Sequence, residues 1–319
     1  MSDVSGPPFR ADHVGSLLRP PELLRARAEH QAGRLSPEEL CRAEDRAIGD
    51  AVRMQQEIGL AGVTDGEFRR GSWHMDFLYQ IGGVAKTDTT LRIQFRNEAG
   101  SVEAALGAFR IGRRLTLDKT IFAEDFAYVK SVAPAGTIAK LTIPSPSMLH
   151  YRGGRAVIDQ AAYPEMDAFW HDLAEVYRKE IAGLAALGCA YLQLDDTSLA
   201  YLNDPAQRAY VTSIGGDGDK QHLTNIRLIN QALAGKPPVS PCAPICAAAI
   251  SARPGSPRAA TTMSPKHCSA SSRSTGSFSN TTTPARAGSS RCVSCRAERR
   301  GWSWASSPAN DRRSKARTS

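Results

Sequence analysis

The sequence predicts an α/β fold over residues 1–235, with parallel strands joined by crossover helices. Three observations carry that expectation. Helical stripes of apolar residues end at a glycine and run directly into short apolar strands. Polar residues gather just past the C-terminal ends of those strands. The composition then changes abruptly at Lys236. The first two are marks of αβ units in a parallel sheet; the third marks the end of the regularly built part of the chain.

Arg10-Ala11-Asp12-His13-Val14-Gly15-Ser16 reads as a short strand entering a Gly-Ser turn. Ser36-Pro37-Glu38-Glu39 puts Ser at a helix cap, Pro at the first helical position and Glu three residues after the cap, a capping box. Leu40, Ala47, Ile48, Ala51, Val52 and Ile58 follow at helical spacing, and Gly59 closes the segment. Leu60 to Glu67 is then a short strand whose far end carries Asp65 and Glu67. Residues 72–135 read as an insertion with at least one helix, around Glu124–Lys130. Thr137 to Ile143 is β-rich and stops at Pro144-Ser145-Pro146. Met166, Phe169, Trp170, Leu173, Val176, Tyr177, Leu184 and Leu187 form one stripe, read as core, which Gly188 ends. Cys189 to Leu194 is a strand running into Asp195-Asp196. No internal repeat is present.

Four strand ends therefore carry polar groups: His13 with Ser16, Asp65 with Glu67, Ser145, and Asp195 with Asp196. In a (β/α)8 barrel that rim is where chemistry is done. Any one of these acids also has a bland reading, as a helix cap or a satisfied loop residue. Agreement among four strand ends favours a site.

The chain has 319 residues, 41% of them hydrophobic and 23% charged, enough for one large core or two small ones. No apolar run approaches the ~18–20 residues of a membrane helix. The opening residues lack the pattern of a secretion signal, so the cytoplasm is the expected compartment. The formal net charge of +8 conceals two unlike pieces. Residues 1–235 carry 26 Lys+Arg and 30 Asp+Glu, a balance of −4, whereas residues 236–319 carry 14 and two, a balance of +12. The second piece holds 18 Ser, nine Pro and five of the seven Cys but no Leu, while the first has 24 Leu. A stretch without Leu is poorly equipped to pack a core, so 236–319 is expected to be a disordered basic tail. Its Cys292-Val293-Ser294-Cys295 lacks the paired spacing of a zinc ribbon. The basic charge leaves one alternative open, a truncated half-barrel whose tail binds nucleic acid.

Asp12-His13-Val14-Gly15-Ser16-Leu17-Leu18-Arg19-Pro20, Val63-Thr64-Asp65-Gly66-Glu67-Phe68-Arg69-Arg70 and Tyr191-Leu192-Gln193-Leu194-Asp195-Asp196 together resemble the cobalamin-independent methionine synthase family. The likeness is to its short, single-barrel members, which match the catalytic C-terminal half of the full-length enzyme. The resemblance implies a (β/α)8 barrel, of which residues 1–235 encode about the first four strands. It implies methyl transfer to a zinc-bound homocysteine thiolate, zinc being what turns a thiol of pKa ~8.5 into a nucleophile at neutral pH. It assigns substrate binding to His13, Gly15, Ser16, Glu67 and Asp195. The Gly15-Ser16 turn would take the amino-acid carboxylate, and Glu67 with Asp195 its ammonium group. Trp73 and the Thr142–Ser147 segment, Ser145 in particular, would lie toward the methyl donor. Methyltetrahydrofolate, a folate polyglutamate and a methyl-corrinoid carrier all remain open as that donor.

The family's zinc ligands come from a T-H-x-C-R-G-N strand, an F-L-E-Y-D-D strand and a further Cys, all beyond the point that corresponds to residue 235. None of these motifs is present in the chain, so no metal ligand is assigned here. A change of reading frame accounts for the loss. Joining the third base of each tail codon to the first two of the next, Pro238 to Gly255 permits G-L-T-V-C-T-H-L-C-R-G-N-F-R-S-A-W. Arg273 to Arg296 likewise permits a stretch containing F-F-L-E-Y-D-D. The expectation is a frameshift between about Leu233 and Val239, with the chain as written inactive.

Overall fold

The computed structural model describes residues 11–97, 100–151 and 153–235. The expectations for the 236–319 tail lie outside the described residues.

Helix α1 (Pro21–Gln31) leads to α2 (Pro37–Glu57). Helix α2 begins with the predicted capping box: the Ser36 side chain accepts from Glu39 N–H and the Glu39 side chain accepts from Ser36 N–H. Strand β1 (Gly62–Val63) is followed by the short helix α3 (Met75–Leu78). Strands β2 (Gly82–Asn97) and β3 (Gly100–Thr116) pair antiparallel in a long hairpin. Helix α4 (Ala123–Val132), strand β4 (Ile138–Pro144), the short helix α5 (Met148–Tyr151) and a 3-10 turn (Gly154–Val157) come next. Helix α6 (Met166–Ala186) and strand β5 (Tyr191–Asp195) precede α7 (Ser198–Tyr201), α8 (Pro205–Ser213) and α9 (Gln221–Leu233).

The parallel sheet runs β1-β4-β5, and a parallel bridge from Ser16 to Gly66 adds a fourth segment beside β1. Four parallel segments thus lie side by side in chain order, the arrangement of successive strands in a (β/α)8 barrel. The register Lys140↔Tyr191, Thr142↔Gln193, Pro144↔Asp195 sets the inward and outward faces. Successive side chains on a strand point to opposite faces. Leu141, Ile143, Leu192 and Leu194 face outward into one core with Phe169, Leu173, Val176 and Tyr177 of α6 and Leu228, Ile229 and Ala232 of α9. Each such buried side chain contributes about 1.5–3 kcal/mol. A second core joins Leu23 of α1, Ile48 and Val52 of α2, Val63, Phe68 and Val129.

The structure departs from the sequence reading in several places, and the strand read over Leu60–Glu67 is only β1, with Glu67 in the turn beyond it. The segment before Ser16 makes a single bridge and no longer strand among the described residues. The 72–135 insertion holds the predicted helix as α4 but is mostly the β2–β3 hairpin. Helices α1, α8 and α9 were not foreseen. Ile58 and Leu187, assigned to helical stripes, are C-caps that stand 66% and 39% exposed.

Candidate substrate site at the strand ends

The inward face of the sheet is polar. Lys140 and Thr142 of β4 and Tyr191, Gln193 and Asp195 of β5 occupy it, all of them buried. The Gly66-Glu67 turn closes its upper end. Both residues are left-handed, at φ +63° and +58°, and a non-glycine residue held there signals a conformation imposed by its surroundings. Asp65 imposes part of it, its Oδ1 accepting from Glu67 N–H at 2.9 Å. Arginines impose the rest. Arg19 donates to the carbonyls of Glu67 and Arg70 at 2.8 and 2.6 Å, and Arg27 donates to that of Phe68 at 2.6 Å. Arg69, buried below the turn, meets Glu44 and Asp125 at 3.3 Å each and also pairs with Asp45.

Glu67 thereby points inward. Thr142 Oγ1 donates to its Oε1 at 2.8 Å, and Arg70 Nη1 lies 3.4 Å from the same oxygen. Burial raises the Glu67 pKa against the pull of Arg70 and Thr142. Asp195 sits opposite. Burial raises its pKa to about 7, and the Glu67 charge adds to the shift while Gln193, Arg70 and Lys140 oppose it. Its side chain accepts one hydrogen bond, from Gln193 Nε2 at 2.5 Å, and no cation pairs with it among the described residues. Two carboxylates therefore converge, Glu67 from the turn after β1 and Asp195 from the end of β5, and Asp195 makes no contact ion pair among the described residues.

The Gly15 turn is fixed by a chain of bonds that also settles the His13 tautomer. Gln55 donates to the Ala51 and Thr64 carbonyls and accepts from Thr64 N–H at 2.9 Å, so its Oε1 is held in place. His13 Nε2, 2.8 Å from that oxygen, must then carry the proton, and Nδ1 accepts from Gly15 N–H at 3.1 Å. Burial lowers the His13 pKa, in keeping with a neutral ring. Both ring nitrogens are thus taken by protein, and so is the Gly15 amide. The donors left at this turn belong to Ser16, whose side chain is exposed. Gly15 itself, at φ +110°, packs directly against Thr142.

The remaining sequence candidates divide. Ser145 is fully buried and bonds to Ser147 Oγ at 3.1 Å. Asp196 anchors a buried network: it accepts from Ser147, from Ser198 Oγ at 2.7 Å and from Leu199 N–H at 2.9 Å, capping α7. Asn225 of α9 joins it through Ser198 Oγ at 2.9 Å. Trp73 is half-buried with its ring 4.4 Å from that of His74. Sequence reasoning missed Lys140, Arg70 and Arg19. Lys140 carried a signal, a lysine in a strand that also holds Ile138, Ala139, Leu141 and Ile143.

Among the described residues no three His, Cys, Asp or Glu side chains are grouped to hold a metal ion. These residues do not fit the zinc that the resemblance implies. No helix among them is long and apolar enough to cross a membrane.

The family model described as "Cobalamin-independent synthase, Catalytic domain" matches residues 9–211. Uncharacterized protein YxjH of Bacillus subtilis is 38% identical over 230 residues, covering 72% of this chain and 59% of that protein. YxjG of the same organism is 36% identical over 232 residues, with the same coverage of 72% and 59%. The chain thus spans about three-fifths of the length of the curated relatives it matches. The crystal structure of the putative vitamin-B12 independent methionine synthase from Listeria monocytogenes superposes with a TM-score of 0.60 at 36% identity, covering 73% of this chain and 64% of that one. The model match, the parallel strands in chain order and the inward-facing acids agree, and the chain belongs to the cobalamin-independent synthase family through its catalytic domain.

Proposed function

We propose that residues 11–235 are the amino-acid-binding side of a homocysteine S-methyltransferase barrel. The observation that carries this reading is the pair Glu67 and Asp195, buried carboxylates at different strand ends, of which Asp195 makes no contact ion pair among the described residues. An α-ammonium group between them replaces the lost hydration of both charges and relieves their repulsion. The substrate carboxylate lies at Ser16, whose N–H and hydroxyl serve as donors, while His13 and Gly15 shape the turn from behind. Trp73 lies toward the methyl donor, of the methyltetrahydrofolate or methyl-corrinoid kind. The residues that would bind zinc and activate the thiol belong to the part of the family barrel replaced here by residues 236–319. The chain as it stands therefore binds the amino acid without transferring the methyl group and retains no equimolar zinc.

Titration calorimetry of the full chain with L-methionine and L-homocysteine tests the binding step. Ammonium binding needs ionised Asp195, so affinity rises between pH 6 and pH 8, by about tenfold for a carboxylate titrating near 7. Asp195→Asn flattens that dependence. Absence of binding at both pH values defeats the reading. Correcting the reading frame between Leu233 and Val239 tests the remainder: the repaired product gains equimolar zinc and methyl transfer, and a repaired product without zinc refutes the frameshift.

A further inference from the structure

The geometry points to Lys140 as a positioning residue that clamps the turn from Asp12 to Ser16 and sets a positive charge in the inward column beneath Asp195. This deepens the amino-acid-binding reading and rests on it for its purpose.

Lys140 lies on the inward face of β4, and its side chain is 0% exposed. A lysine is found fully buried only when its charge is matched. The partners are on the turn: Nζ lies 3.0 Å from each Asp12 carboxylate oxygen and 2.5 Å from the His13 carbonyl oxygen. Tyr191 of β5 completes the group. Its hydroxyl donates to Asp12 Oδ2 at 2.5 Å, and its ring lies 4.9 Å from Nζ. One ammonium group thus binds the first parallel segment to the third and, through Tyr191, to the fourth.

The next inward position repeats the link. Gln193 Nε2 donates both to the Val14 carbonyl at 2.9 Å and to Asp195 Oδ1 at 2.5 Å. Gln193 Oε1 is buried without a partner among the described residues. Such an orphan acceptor costs about 1–3 kcal/mol, and the orientation that creates it is the one that ties Val14 to Asp195. The backbone carbonyls of His13 and Val14, just before Gly15-Ser16, are therefore held from the inward column by Lys140 and Gln193.

The charge acts alongside the clamp. The charged groups that act on Asp195 are Glu67, Arg70 and Lys140, and Lys140 opposes the upward push of burial. Those around Lys140 are Asp12 and Asp195, with the Tyr191 phenol. Burial lowers the Lys140 pKa, and the Asp12 hydrogen bond and the charges of Asp12 and Asp195 oppose that shift. Lys140 thereby favours the ionised carboxylate that an ammonium ligand needs, while Glu67 works against it.

The test uses the full chain with 13C-labelled Asp carboxyls, Asp195 being assigned by its loss in Asp195→Asn, together with backbone amide exchange. In Lys140→Met the Asp195 midpoint moves upward by about half a pH unit or more. Exchange at Gly15 and Leu17 accelerates by about tenfold or more, while α2 and α6 keep their protection. Lys140→Arg restores the midpoint by restoring the charge. Asp12→Asn separates the two actions: exchange at the turn rises while the Asp195 midpoint stays at or below its original value. An unchanged midpoint in Lys140→Met, or an unchanged turn in Asp12→Asn, overturns the proposal. Should Lys140→Met fail to fold, Asp12→Asn and Lys140→Arg decide it, since a turn at its original exchange rate in Asp12→Asn or a midpoint raised in Lys140→Arg refutes it. None of these readouts uses the amino acid, so a chain that binds no methionine defeats the functional reading and leaves this one standing.

Discussion

Substituting Gly15 by Ala tests how the turn, β4 and Glu67 are coupled. A methyl group there would stand 3.1 Å from Thr142 Oγ1, 3.3 Å from its Cβ and closer still to its Cγ2 methyl. Thr142 cannot rotate away freely, because its hydroxyl donates to Glu67 Oε1 at 2.8 Å and its backbone carbonyl accepts from Arg70 at 2.7 Å. Overpacking of this kind costs about 1–3 kcal/mol. The φ of +110° adds about 1–3 kcal/mol of strain for any residue with a Cβ. The sum is about 2–6 kcal/mol, which lowers the thermal midpoint by roughly 4–24 °C in a domain of this size. Thr142→Ser removes the clashing methyl and keeps the hydroxyl on Glu67. In that background the Gly15→Ala loss shrinks by about 1–2 kcal/mol, the part due to overpacking. Urea unfolding of the two single variants and the double variant measures it. Strict additivity, or a Gly15→Ala loss below about 1 kcal/mol, refutes the coupling through Thr142.

Further outcomes follow from other buried charges. Glu180 is fully buried with both oxygens on the Ile121 N–H, at 3.1 and 2.9 Å, and burial pushes its pKa up to about 8. A folded pKa above the unfolded value gives stability that is complete below about pH 4.5, declines as pH rises toward 8 and is flat beyond. Glu180→Gln abolishes that slope and raises the midpoint at pH 8–9 while leaving pH 4.5 nearly unchanged; thermal scans across this range decide it. Arg69→Met leaves Glu44, Asp45 and Asp125 facing one another without their shared cation, a loss of about 3–5 kcal/mol in urea unfolding. Ser36→Ala removes one half of the capping box at an exposed site and costs about 1 kcal/mol. Genomic sequencing across codons 225–245 is expected to reveal a base missing or added relative to the frame of the relatives.

Much of the sheet was legible because its signals are local. Ser36 and Glu39 announce α2 within four residues, and the apolar runs of β4 and β5 end at Pro144 and Asp195, where the strands end. The hairpin was not read, although Leu91, Ile93 and Phe95 alternate with Arg92, Gln94 and Arg96 at the period of a strand. Helix α9 was hidden by its own polar interior: Gln221 and Asn225 share the buried face with Leu228, Ile229 and Ala232, so the stripe looks broken. The acids of the candidate site were visible at strand ends, and the family resemblance picked Glu67 and Asp195 from among them, but the physical reason for that choice was not legible. Asp65 makes a turn, Asp196 caps a helix, and only Glu67 and Asp195 turn inward; those roles depend on Arg19, Thr142 and Gln193, residues far away in sequence.

The chain order of the parallel segments bears on how such a protein is made. Each parallel segment pairs with the parallel segment made before it, so none of these pairings needs residues still to be synthesised. By the time residue 236 is decoded, every partner that the Ser16–Gly66 bridge, β4 and β5 use in the described sheet has already been translated. Among the described residues β5 pairs only with β4, so its other edge stays open to whatever the chain beyond residue 235 supplies.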